Sequence, residues 1–149
     1  MRIAEILNLG LARHLHDLVR EHPDFEALDE PTLYLYCFRY VPNALEERRE
    51  EPEVQNQLDW LNQEIVEAVQ RSGLALVVTT RISGRVAIRM SHCSHRTSEE
   101  DVDAAFEAIA RWGRLLSRSS YIHKEKSATM EEMSCSNESY SSPTEVSAT

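Results

Sequence analysis

Two arginines lie inside otherwise apolar stretches of the sequence, where their charge needs a partner. Arg39 interrupts the run of residues 32–41, and Arg89 interrupts the run of residues 85–93. A guanidinium among apolar side chains is costly unless a carboxylate or a phosphate pairs with it. Each arginine therefore predicts one of two arrangements: a structural ion pair with a neighbouring acidic side chain, or a fork that receives the carboxylate of a substrate.

Other reactive side chains are present but do not form a recognisable catalytic or metal-binding pattern. His14 and His16 are two positions apart on a predicted helix, so they point in different directions. Residues 92–95 read His-Cys-Ser-His, but no second cluster follows at a matching spacing. Cys37 lies within an apolar run and is expected to be a small buried hydrophobe. The sequence contains no GxSxG turn and no glycine-rich phosphate loop, so we predict no catalytic residue and no metal ligand.

The composition restricts the class of protein. The chain has 149 residues, of which 42% are hydrophobic and 28% charged, which is typical of one globular domain. A net charge of -9 argues against nucleic acid as a partner. No apolar stretch is long enough for a membrane span, and the N-terminus lacks a signal-peptide core. With three widely spaced cysteines and no CxxC pair, a cytoplasmic location is expected.

Hydrophobic periodicity predicts three helices and three strands. A helical stripe covers residues 2–21, and a second begins after Pro52 and ends at the Ser72-Gly73 pair. Residues 32–41 form a strand that is apolar on both faces. Residues 74–82 and 85–93 form a hairpin about Ser83-Gly84.

The last predicted helix begins at a capping box formed by residues 97–100, Thr-Ser-Glu-Glu. Its inner face is expected to carry Val102, Phe106, Ile109, Gly113 and Leu116. The order helix, strand, helix, hairpin, helix predicts an α+β fold with a small antiparallel sheet of about three strands and helices packed on one face.

The composition changes abruptly after residue 118. The segment 119–149 contains 12 serines and threonines and few apolar residues, so we predict a disordered serine-rich tail. The expected organisation is a connector helix at residues 1–22, a folded domain at 23–118 and this tail.

Six short motifs, in order and at similar gaps, resemble the C-terminal small domain of the pyridoxal-phosphate (PLP)-dependent group II decarboxylases, the relatives of the aromatic-L-amino-acid and glutamate decarboxylases. The resemblance covers about residues 22–112. The motifs are PTLYLYCFRYVP at 31–42, LNQEI at 61–65, SGLA at 72–75, TTRISGR at 79–85, IRM at 88–90 and RTSEEDV at 96–102.

The resemblance implies a carboxy-lyase of amino-acid metabolism. In that family PLP forms a Schiff base with a lysine of a large domain that precedes the matching segment, so no position here corresponds to the cofactor residues. His123-Lys124 resembles the family's His-Lys dipeptide but lies in the predicted tail. We therefore expect no cofactor on this chain alone, and PLP only in the complete enzyme. The resemblance makes Arg89 the candidate for binding the substrate carboxylate, although a structural ion pair at Arg89 remains open.

Two functions of different class follow. In the first, the chain is a fragment or small-domain component of a PLP-dependent amino-acid decarboxylase, lacking the cofactor-binding large domain, and its partners are that domain or a second subunit and an amino-acid substrate. In the second, it is a stand-alone binding or regulatory module with the same fold and no catalysis.

Overall fold

A computed structural model describes the backbone of residues 2–32, 35–91 and 96–135, and the side chains of residues 9–32, 35–91 and 96–120. The predictions for Leu33, Tyr34 and residues 92–95 lie outside these ranges. The elements are, in chain order, α1 (Arg2–Glu21), β1 (Phe25–Ala27), β2 (Leu35–Tyr40), a 3-10 helix (Asn43–Arg48), α2 (Pro52–Ser72), β3 (Val77–Ile82), β4 (Arg85–Ser91) and α3 (Glu99–Cys135).

The strands form one antiparallel sheet in the order β1-β2-β4-β3. Because side chains alternate along a strand, Tyr36, Phe38 and Tyr40 share one face of β2. All three are buried in a single core with residues of the three helices. The predicted α+β layout, with the helices on one face of a small sheet, is confirmed. The core comprises Leu11, Leu15 and Val19 of α1, Leu61, Ile65, Val66 and Val69 of α2, Val102, Ala105, Phe106 and Ile109 of α3, and Tyr36, Phe38, Tyr40, Val77, Ile88 and Met90 of the strands.

Helix α2 is placed by polar contacts as well as by its apolar stripe. The paired register of β2 and β4 ends at Phe38 and Ile88, so the two strands separate beyond that point. There the buried Asn62 side chain accepts a hydrogen bond from the Tyr40 amide (2.8 Å) and donates one to the Tyr40 carbonyl (2.9 Å). Asn62 thus takes the place of a neighbouring strand, which satisfies backbone groups that would otherwise be buried without partners.

The predicted hairpin turn is found where the sequence indicated, whereas the cap of α3 differs from the prediction by one residue. Ser83 (φ 50°) and Gly84 (φ 78°) both adopt the left-handed conformation, as a two-residue type I′ hairpin requires. At the start of α3, however, the cap is Ser98, whose Oγ accepts a hydrogen bond from the Asp101 amide (3.2 Å). The predicted capping box at 97–100 was therefore wrong by one position.

Two further differences concern strand content. The sheet has a fourth strand, β1, whose three residues pair with β2. β2 ends at Tyr40, one residue before the predicted end, and β3 begins only at Val77, three residues after the predicted start. The segment 74–76 is consequently free of the sheet.

Helix α3 extends further than the sequence indicated. It continues to Cys135, so residues 119–135, predicted to be disordered, have a helical backbone. The chain divides into two compact units, Met1–Ser117 and Arg118–Thr149. The division into residues 1–22, 23–118 and 119–149 stays a prediction. No helix in the described part of the chain has the length and apolar character needed to cross a membrane.

Candidate functional site

A cleft of about 550 Å³ opens between the segment that precedes β3, the end of β4 and the start of α3. Most of its lining is apolar, and its polar groups lie on β4 and at the beginning of α3. A pocket of this size, with few polar groups, is typical of small-molecule sites. The cleft is lined by Leu74, Ala75, Leu76, Val78, Arg89, Met90, Ser91, Arg96, Thr97, Asp101 and Ala105.

The sheet register places Arg89 in this cleft. Arg89 lies on β4 between Cys37 of β2 and Val78 of β3, and both are its direct cross-strand neighbours. These three residues share the face of the sheet opposite the helices. Cys37 is buried, and burial raises the pKa of its thiol while the nearby Arg89 charge lowers it. An uncharged small residue therefore lies beside the guanidinium.

Arg89 is exposed, and within the described ranges it forms no hydrogen bond or ion pair. The acidic residue of the cleft, Asp101, is engaged elsewhere. Its carboxylate accepts hydrogen bonds from the Ser98 amide (2.8 Å) and hydroxyl (3.0 Å), which lower the pKa of Asp101. A guanidinium with an apolar surround and no carboxylate of its own can receive a carboxylate from a ligand.

Arg39 shows the opposite arrangement, although the sequence context is similar. Its side chain is fully buried, and its guanidinium donates to Asp59 (2.6 Å) and to Gln55 (2.8 Å). Asp59 also accepts a hydrogen bond from the Val86 amide (2.9 Å). Burial lowers the pKa of Arg39, and the Asp59 charge opposes that effect. Arg39 therefore forms a structural ion pair, one of the two arrangements that the sequence left open.

The apolar wall of the cleft was missed by sequence reasoning. Leu74 is 65% exposed and Leu76 is 84% exposed, because β3 begins only after them. The sequence had predicted a strand from residue 74, with both leucines inside it. The only available signal was the Ser72-Gly73 helix end, after which a short connection is expected before the next strand.

Of the two histidines that the sequence singled out on α1, one is buried and one is partly exposed. His16 Nδ1 is 2.9 Å from the Tyr36 hydroxyl, and burial is the main cause that raises the pKa of Tyr36. His14 Nε2 is 2.6 Å from Asp103 of α3. Among the described residues, no group of three or more His, Cys, Asp or Glu is positioned to hold a metal ion.

The residues whose side chains are described do not include a group that could anchor PLP. A Schiff base needs a lysine, and the sequence has only Lys124 and Lys126. Neither belongs to residues 9–120, whose side chains form the cleft and the core. The cleft therefore offers a cation for a carboxylate and an apolar surface, without the covalent anchor that the cofactor requires.

Comparison with known proteins gives a consistent set of relatives. No family model matches the chain. Phenylacetaldehyde synthase of Arabidopsis thaliana is 30% identical over 102 residues, which are 68% of this chain and 19% of that protein. The acidic amino acid decarboxylase of Mus musculus is 30% identical over 106 residues, 70% of this chain and 19% of that protein. The chain thus spans about a fifth of the length of these relatives.

Solved structures support the fold. Oryza sativa TDC, solved with PLP and tryptamine, superposes with a TM-score of 0.66 and 25% identity, over 76% of this chain and 23% of that one. Mouse CSAD superposes with a TM-score of 0.67 and 21% identity, over 74% of this chain and 23% of that one, which bears on the fold alone. The matched part of the relatives is their C-terminal portion. The chain therefore belongs to the PLP-dependent group II decarboxylase family, in which it corresponds to the C-terminal small domain.

Proposed function

We propose that the chain acts as the small domain of a PLP-dependent amino-acid decarboxylase and that Arg89 binds the α-carboxylate of the substrate. The observation that supports this most strongly is the contrast between the two arginines. Arg39 is buried and paired with Asp59, whereas Arg89 is exposed at an apolar cleft with no ion pair among the described residues.

The chemistry of the cleft suits this role. A planar guanidinium can donate two parallel hydrogen bonds to a carboxylate, which orients as well as binds it. Val78 lies directly across from Arg89 on β3 and gives the guanidinium an apolar neighbour, so a carboxylate bound there would be less hydrated than one in open solvent. The carboxylate would be held at a defined position relative to a cofactor bound elsewhere.

The cofactor and its binding residues would be supplied by a large domain, in the same polypeptide or in another. In this proposal the isolated chain carries no PLP, because the side chains of its core and cleft include no lysine. Its partners are that large domain, a second subunit of the complete enzyme and an amino-acid substrate. The proposed location is the cytoplasm, because three widely spaced cysteines without a CxxC pair do not suggest a disulfide framework.

A chimaera tests the role of Arg89. Residues 1–118 would replace the corresponding C-terminal segment of tyrosine decarboxylase 2 of Arabidopsis thaliana, which is 26% identical to this chain over 114 residues. Arg89→Gln should lower kcat/KM of the active chimaera by roughly 10- to 150-fold, since a hydrogen bond to a charged group contributes about 1.5–3 kcal/mol. Arg89→Lys should retain part of the activity.

The matched control is Arg81→Gln, which removes an exposed arginine from the neighbouring strand. It should leave kcat/KM nearly unchanged, and equal activity of Arg89→Gln and the unmodified chimaera would contradict the proposal. A second measurement needs no catalysis. Titration of the full chain with sodium phenylacetate, an apolar carboxylate, should shift the nitrogen-15 resonance of Arg89 Nε, and this shift should be absent with phenylethanol.

A further inference from the structure

Strand β3 forms one edge of the sheet, and its backbone is paired on one side only. Within the described residues its sole strand partner is β4. The two-residue turn joins Ile82 to Arg85, so these two residues form a hydrogen-bonded pair. Hydrogen-bonded pairs alternate along an antiparallel ladder, so the backbone groups of Thr80 and Val78 also point toward β4. The amides and carbonyls of the intervening residues therefore face outward.

The outward-facing residues are Val77, Thr79 and Arg81. The Val77 carbonyl already accepts a hydrogen bond from the Gln70 side chain (2.7 Å). Thr79 and Arg81 thus present a pair of free backbone donors and acceptors at the edge. Such a row is a template for another strand unless the protein protects it.

β3 lacks the usual protection of an edge strand. Its sequence, Val-Val-Thr-Thr-Arg-Ile, contains no proline and a single charge, and its register with β4 has no bulge. Five of its six residues are β-branched, which favours strand pairing. Val78 and Thr79 are exposed.

We propose that this edge binds a second copy of the chain, through antiparallel pairing of β3 with β3 about a two-fold axis at Thr80. Thr79 of each copy then lies opposite Arg81 of the other, and the two residues exchange their free backbone hydrogen bonds. The Gln70 contact with Val77 remains intact in this register. An axis at Thr79 would instead pair Val77 with Arg81 of the second copy, and the Val77 carbonyl needed for that pair already accepts a hydrogen bond from Gln70.

The side chains of this register are self-complementary. On the face opposite the helices, Val78 meets Ile82 of the second copy, and Thr80 meets its own equivalent. On the other face Arg81 meets Thr79, so no like charges lie directly opposite each other.

One strand pair buries little surface, so the dimer is weak and depends on concentration. The inference does not rest on the proposed function, because Arg89 lies on the neighbouring strand and takes no part in the pairing.

Sedimentation velocity of the full chain should show a monomer–dimer equilibrium between about 5 and 300 µM. Thr79→Pro removes an outward-facing amide without touching the β4 ladder, and should weaken dimerisation at least roughly tenfold. Thr79→Val keeps that amide and should dimerise like the parent chain. A chain that is monomeric throughout the range, or a Thr79→Pro variant that dimerises normally, would overturn the proposal.

Disulfide trapping tests the register even if the proline variant unfolds. In a Cys93→Ser, Cys135→Ser background, Thr80→Cys places two thiols opposite each other at a non-hydrogen-bonded pair, with Cβ atoms about 4.5–5.5 Å apart. Mild oxidation should give a covalent dimer with Thr80→Cys and little with Thr79→Cys, whose thiol faces Arg81. Preferential cross-linking of Thr79→Cys, or cross-linking of neither variant, would refute the two-fold axis at Thr80.

Discussion

The buried ion pair between Arg39 and Asp59 gives an asymmetric prediction for stability. Arg39 is fully buried, whereas 23% of the Asp59 side chain is exposed. Removing the carboxylate leaves a buried charge with only Gln55 as a hydrogen-bond acceptor among the described residues. Removing the guanidinium leaves a carboxylate that still reaches solvent and still accepts the Val86 amide. We therefore expect the two deletions to differ in cost.

Asp59→Ala should lower the free energy of unfolding by about 3–5 kcal/mol, the cost of leaving a buried charge unpaired. Arg39→Met should cost only about 1 kcal/mol, because methionine keeps the apolar stem and a hydrophobic replacement of a buried ion is often nearly neutral. The double variant should be more stable than Asp59→Ala alone, since it contains no unpaired buried cation.

Urea unfolding followed by tryptophan fluorescence measures these differences, and both tryptophans lie within the folded region. The matched control is the pair Arg85–Glu50, which is equally short at 2.6 Å but more exposed, at 33% for Arg85 and 67% for Glu50. Deleting either partner of that pair should change stability by less than about 1 kcal/mol. Equal costs for Asp59→Ala and Arg39→Met would refute the reasoning, as would a double variant less stable than both.

Three further outcomes are expected. Burial lowers the pKa of His22 below its ordinary 6.5, so the unfolded chain binds more protons than the folded one below that pH. The free energy of unfolding should therefore fall as the pH falls below 6.5, and this pH dependence should be weaker in His22→Leu. Gly113→Ala should destabilise by about 1–2 kcal/mol despite its better helix propensity, because the new Cβ would lie 2.6 Å from the buried ring of Tyr40. PLP should form no borohydride-reducible adduct with the chain, and a stoichiometric adduct on Lys124 or Lys126 by peptide mapping would contradict this.

The sequence predicted the elements whose signals are local. Gly73 (φ 71°) ends α2 as expected, and the apolar stripe of that helix is buried at Val54, Leu58, Leu61, Ile65 and Val69. By contrast β1, with three residues, is too short for a periodic pattern and exists because it pairs with β2. The cap of α3 was displaced because Thr97 and Ser98 are both suitable caps, and each has an acidic residue three positions later.

The candidate site shows more clearly what a sequence lacks. Arg39 and Arg89 occur in similar runs, and the register places both on the same face of the sheet, since Cys37 pairs with Arg89 and lies two residues before Arg39. Their local patterns therefore cannot tell which one is available to a ligand. What separates them is the position of Asp59, which is brought to Arg39 by helix α2, twenty residues away in the sequence.

The two arginines also differ in whether the face of the sheet opposite the helices is covered beside them. Near Arg39 that cover comes from the segment after β2, through the ion pairs of Arg49 with Glu26 (3.4 Å) and of Glu50 with Arg85 (2.6 Å). No described residue supplies a carboxylate to Arg89 at the other end of β4. A charge held at an apolar surface without a partner gains most when a ligand brings the opposite charge. The exposed end of β4, rather than either arginine motif, is therefore the feature that marks the candidate site.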